Sequence, residues 1–216
     1  MKSILEFLSA LEKNNNREWF NANKQLYEEN RRLFLLTIGK IIKGISAFDR
    51  SISQVDPKNC VFRIYRDTRF SADKTPYKNN FGAFISKDGF KSHHCGYYFH
   101  IQPGEYFVSA GIYMPMPEAL ARIRSEIYHH YAEFKSIVEH PDYQKYNIKF
   151  WEDKLKRPPK NFDLDFEGIE WLKYKSIAPF HELSERDLLS ENLIEKIVEV
   201  YRILFPLNQF LDKALS

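Results

Sequence analysis

Hydrophobic positions recur at helical spacing from Ile4 to Ile45. Ile4, Leu5, Phe7, Leu8 and Leu11 mark one face of a first helix, which ends in the asparagine run 14–16. Asn15 followed by Glu18 has the form of a capping box for the next helix. There, Trp19/Phe20, Leu26/Tyr27, Leu33/Phe34, Ile38, Ile41/Ile42 and Ile45 return about every seven residues to one face. About thirty helical residues would reach about 45 Å, long enough to lie across a whole sheet.

The period then drops to two. Segments 61–65, 81–86, 95–101 and 106–113 read as strands, with turn signals at Lys87-Asp88-Gly89 and Gln102-Pro103-Gly104. The second turn makes residues 95–113 a hairpin, and the short connections predict antiparallel pairing. A helix is expected from Pro117, carrying Leu120, Ile123 and Ile127 inward, and another over 131–139. Residues 141–182 show no clear period. Ser184 opens a helix-start pattern, residues 188–205 read as one or two helices, and 207–215 closes the chain. Helices, then strands, then helices predict an α+β fold. The expectation is a single domain over residues 1–216, with an antiparallel sheet of four or more strands, a long N-terminal helix packed on it and a helical C-terminal half.

Alternation sorts the strands into faces. Tyr97, Phe99 and Ile101 share an apolar face with Tyr106, Val108 and Ala110; Phe62 and Ile64 read as a core anchor. The opposite face reads Gly96, Tyr98 and His100 with Phe107, Ser109 and Gly111, and Arg63 and Tyr65 are expected to look toward it. Small residues there have two readings. They let a helix cross close to the sheet, or they form a hollow with a few convergent polar groups. The pattern does not say which face the long helix covers.

Composition narrows the field modestly. The 216 residues are 44% hydrophobic and 28% charged, ordinary for a globular chain, with 18 Phe and 13 Tyr. A net charge of +3 permits an anionic partner without demanding one. The N-terminal apolar stretch contains Glu6 and Glu12 and reads as an amphipathic helix, not a signal peptide. No apolar run suggests a membrane span. The two cysteines, Cys60 and Cys95, read as buried thiols of a reducing compartment, so a cytoplasmic protein is expected.

The chemistry-bearing residues concentrate between Cys60 and Asn80. Arg63, Arg66, Arg69, Lys74 and Lys78 are candidate ligands for a phosphate or carboxylate, with Tyr65, Tyr77 and Tyr98 as walls. His100 and Asp67 are the candidate catalytic groups for proton transfer. Asp67 and Asp73 could instead pair with the cations and close the loop on itself. Pro76 makes Thr75 extended and stiffens the presentation of Tyr77 and Lys78. His93, His94, Cys95 and His100 lack the second ligand pair of a zinc site, so no metal is assigned. Thr68, Ser71 and Ser109 offer hydroxyls, but without a nucleophile-elbow pattern. Neither a phosphate loop nor a dinucleotide fingerprint is present, and no cofactor is expected.

The stretches Asn16-Arg17-Glu18-Trp19-Phe20, Phe62-Arg63-Ile64-Tyr65-Arg66-Asp67-Thr68-Arg69-Phe70-Ser71, Lys74-Thr75-Pro76-Tyr77-Lys78 and Gly111-Ile112-Tyr113-Met114-Pro115 carry a resemblance. With Arg157-Pro158-Pro159-Lys160-Asn161-Phe162 and Leu172-Lys173-Tyr174-Lys175, they resemble the conserved hypothetical proteins catalogued as domain of unknown function 2461. The resemblance covers nearly the whole chain. It implies a soluble single-domain protein and carries no catalytic residues over. The leading expectation is a small anionic ligand bound by the Arg/Lys/Tyr loop beside the sheet, with hydrolysis or transfer at a phosphorylated substrate as the associated chemistry. The alternative is a non-enzymatic module binding nucleic acid or an acidic protein through the same loop, whose cations interleave with Tyr65, Phe70 and Tyr77.

Overall fold

The computed structural model describes residues 1–69 and 72–215; Phe70 and Ser71, named above, lie outside the described residues. Helix α1 (Lys2–Lys13) forms as its apolar spacing predicts and buries Ile4, Leu5, Phe7, Leu8 and Leu11. The next helix starts one residue later than the capping-box reading. Asn16, not Asn15, is the cap, and its side chain accepts from the Trp19 N–H at 2.9 Å. The expected long helix is two helices, α2 (Arg17–Ala22) and α3 (Lys24–Ile45). The break falls at Asn23. Its backbone leaves helical values, and its side-chain amide donates to the Trp19 carbonyl at 2.9 Å alongside its own backbone N–H at 3.0 Å. At 22 residues α3 runs about 33 Å.

Among the described residues the strands form one antiparallel sheet, ordered β1 (Phe81–Ile85), β2 (Gly96–Gln102), β3 (Glu105–Gly111) and β4 (Phe180–Glu182). The β2–β3 hairpin turns at Gly104, whose φ of +80° suits the turn. Segment 61–65 is not the strand its pattern predicts. It makes isolated bridges, Val61 with Ala83 at the edge of β1 and Tyr65 with Tyr77 in the loop before it. Consequently Phe62 and Ile64 do not share a fate: Ile64 is buried in the core, whereas Phe62 turns to the other sheet face. The fourth strand comes instead from the aperiodic stretch. Its three residues are too few to declare a period.

The C-terminal half is helical: α4 (Pro117–His129), α5 (Tyr131–Val138), α6 (Pro141–Lys145), α7 (Glu185–Leu188) and α8 (Leu193–Leu215). Pro117 opens α4, as its fixed φ favours. Helix α8 continues past Pro206, so the expected separate closing helix is part of it.

One sheet face is covered by α1, α3 and α8. Phe34 of α3 lies 5.4 Å from Phe81 and 5.9 Å from Phe99, ring centre to ring centre. Tyr97, Phe99, Ile101 and Val108 are buried beneath these helices, and the Tyr201 hydroxyl of α8 donates to the Tyr98 carbonyl at 2.7 Å. The long helix therefore covers the apolar face. A second core gathers Ile123, Phe134, Leu172, Leu207 and Phe210. The face bearing Tyr98 and His100 carries no helix from α1 or α3.

Candidate functional site

That uncovered face floors a cavity of about 660 Å³. Gly96, Ser109 and Gly111 lie at its floor, with Tyr98, His100 and Phe107 alongside them on β2 and β3. Phe62, Phe84 and Phe90 line it from the β1 side, and Trp151 from the segment before β4. Two glycines are required by close approach. A Cβ on Gly82 would stand 2.6 Å from the Tyr98 hydroxyl, so glycine there lets the phenol lie across β1. Gly111, at φ +112°, would put a Cβ 2.1 Å from the Ile177 carbonyl that pairs with Ile112.

Besides Tyr98, His100 and Ser109, the polar side chains of Ser92, His94 and Glu105 line the cavity. The Tyr98 hydroxyl and His100 Nδ1 are 2.9 Å apart. The imidazole stacks on Phe107 at 4.7 Å, and its Nε2 is buried with no hydrogen-bond partner among the described residues. Burial lowers the His100 pKa, with Glu105 acting in the opposite direction; burial first, then Glu105, raises Tyr98 to about 12. Near neutral pH the pair is thus an uncharged imidazole and an uncharged phenol. Ser109 Oγ is occupied, donating to the Pro179 carbonyl at 2.8 Å.

The loop after Tyr65 is largely closed on itself. Arg66 pairs with Asp73 and donates to Thr75 Oγ1 at 2.8 Å. Arg69 grips Asp67 through Nε at 3.0 Å and Nη2 at 2.7 Å, and these bonds hold the Asp67 carboxyl at about 2. Asp67 is thus ionised and does not line the cavity with His100. Lys74 Nζ donates to the Thr68 carbonyl at 2.9 Å.

The tyrosines separate. Tyr77 is 4% exposed and stacks on Phe20 at 3.9 Å. Asn15 clamps it by taking its N–H at 3.1 Å and donating to its carbonyl at 2.9 Å. The Asn-Arg-Glu-Trp-Phe motif and the Thr-Pro-Tyr-Lys motif therefore meet as packing partners. Tyr65 is half exposed against Phe20 and Tyr77, and only Tyr98 of the three lines the cavity.

Two cations are differently placed. Arg63 is exposed, with no ion pair among the described residues. Lys78 is partly buried, its ammonium 5.3 Å from the centre of the ring of Phe62, a cavity residue; neither Lys78 nor Arg63 itself lines the cavity. Burial, then Arg63 and Arg66, lowers its pKa, and among the described residues it has no carboxylate partner. Sequence reasoning missed most of the wall: Phe84, Phe90 and Trp151. Phe62 was assigned to the core on a strand period its segment does not keep, and Trp151 sits in a stretch without periodicity.

Among the described residues no group of three His, Cys, Asp or Glu is disposed to hold a metal, and no helix is long and apolar enough to cross a membrane. Comparison with curated proteins and comparison with solved structures each return no match. A family model described as conserved hypothetical protein (DUF2461) matches residues 3–210, and the chain belongs to that family.

Proposed function

We propose that the protein binds a small organic anion in the sheet-face cavity, with Lys78 and Arg63 attracting the acidic group. Lys78 carries the proposal. Its ammonium is partly buried, feels the like charge of Arg63 and Arg66, lacks a carboxylate partner among the described residues and sits over the ring of a cavity residue. A buried cation among like charges is costly until an anion joins it. The cavity's volume and its largely aromatic lining are those of a small-molecule site, with Glu105 a carboxylate on the wall that the cations must outweigh. Tyr98 and His100 supply the polar anchor.

The nucleic-acid reading draws less support. Arg66 and Arg69 are engaged with Asp73 and Asp67, and Tyr77 is buried rather than available for stacking. A catalytic reading, hydrolysis or transfer, has one observation in its favour. Burial keeps His100 neutral, the form that accepts a proton.

The test is calorimetric titration of wild type and Lys78→Met with decanoate, 2-naphthoate and their matching neutral alcohols. At least one acid binds the wild type, and the substitution weakens it ten-fold or more while leaving the alcohol unchanged. Equal affinity of the acids for both proteins, or no acid bound, refutes the proposal.

A further inference from the structure

The rings that wall the cavity bear on the body of the ligand, given the anion-binding reading above. Phe90 lies 5.9 Å from Phe62, Phe62 6.3 Å from Tyr98, Tyr98 5.7 Å from Phe107, and Phe107 5.4 Å from Trp151. Aromatic rings thus run as an unbroken band from the β1 edge to the β4 edge. Trp151 is fixed from behind by stacking on Phe180 at 4.0 Å, and Phe107 meets Phe180 edge-on. Aliphatic lining is slight beside this: Ile112 with Ala110 and Ala178.

Such a band has a physical preference. Each ring is rigid, with two side-chain torsions, and most are held by a neighbouring ring, so the surface stays in place whether or not a ligand is present. A flat π-system lying on it gains offset-stacked and edge-to-face contacts with several rings at once. An alkyl chain gains area alone, and it loses rotamer freedom on becoming ordered.

We infer that the ligand is an aromatic acid, one or two fused rings lying along the Phe62–Trp151 band and bearing a carboxylate or phosphate directed to Lys78. The floor of Gly96, Ser109 and Gly111 leaves room for the ring edge. The Tyr98–His100 pair meets polar substituents on the ring. Carboxylate and phosphate share the same recognition by a point charge, and the experiment separates them.

The experiment is calorimetric titration of the full chain with 2-naphthoate, 2-naphthyl phosphate and decanoate, repeated with Trp151→Leu and Phe90→Leu. 2-Naphthoate or 2-naphthyl phosphate binds wild type at least ten-fold more tightly than decanoate, and the tighter of the two names the acid. Each Leu variant, checked for an unchanged melting temperature, binds the aryl acid several-fold more weakly and decanoate as before. If one variant fails to fold, the other carries the test. Decanoate bound as tightly as the aryl acids, or Leu variants binding aryl acids unchanged, overturns the aromatic assignment and leaves anion binding standing. No acid bound at all overturns both.

Discussion

Gly82 controls where the Tyr98 phenol lies. With only a hydrogen on its Cα, it leaves the space that the ring needs to bring its hydroxyl to His100 Nδ1. A methyl at Gly82 forces that ring aside, because a tyrosine ring moves as a rigid body and Phe107 and Phe62 stand on either side. Gly82→Ala is therefore expected to cost about 1–3 kcal/mol by chemical denaturation. It also breaks the Tyr98–His100 bond, visible as a shift of the His100 imidazole signals by NMR. Unmoved imidazole signals would show that the phenol has room to spare. At this scale the sequence was informative about one half of the site. Strict alternation through β2 and β3 brought Tyr98, His100, Ser109, Gly96 and Gly111 to one face. It was uninformative about the loop, where charge count alone does not reveal that Arg66 and Arg69 already have Asp73 and Asp67.

Among the elements, α7 is short and depends on its first turn. Asp187 closes the capping box with Ser184 and also holds Lys196 of α8 at 2.7 Å. The Lys196 bond is the largest of the influences that lower the Asp187 pKa. A lowered folded-state pKa means the stabilisation is full above the ordinary carboxylate range and fades as pH falls below about 4. Asp187→Asn is expected to cost about 1 kcal/mol at pH 7 and to flatten the acid limb of the stability profile, read by melting temperature against pH. An identical acid limb in both proteins would contradict this. Ser184 was a legible start signal because capping is local. The break at Asn23 was not, because the apolar face continues through it and the interruption is a single residue whose backbone leaves helical values. β4 was illegible for a different reason: its pairing with β3 is settled by partners more than seventy residues away in sequence, such as Val108 opposite His181.

For the whole molecule, α8 is the shared element. Ile197, Val200, Tyr201 and Leu204 pack into the core under the sheet, and Leu207, Phe210 and Leu211 into the core with α4 and α5. One helix serving both cores couples them, so a single cooperative transition is expected on heating. Phe210→Ala is expected to cost about 3–5 kcal/mol and to lower that one transition rather than split it. Two resolved calorimetric peaks would show that the cores unfold separately. The same coverage explains why the other sheet face is left open. With α1, α3 and α8 on one side, the Tyr98 face is left as the floor of the cavity, and Lys78 stands beside it. The most direct measurement is amide NMR of the isotope-labelled protein titrated with 2-naphthoate and, separately, decanoate. Anion binding in this cavity predicts that Lys78, Gly96, Ser109 and Gly111 shift together and saturate as one site with at least one acid. Shifts confined to the 66–74 loop, or a floor unmoved by either acid, would contradict it.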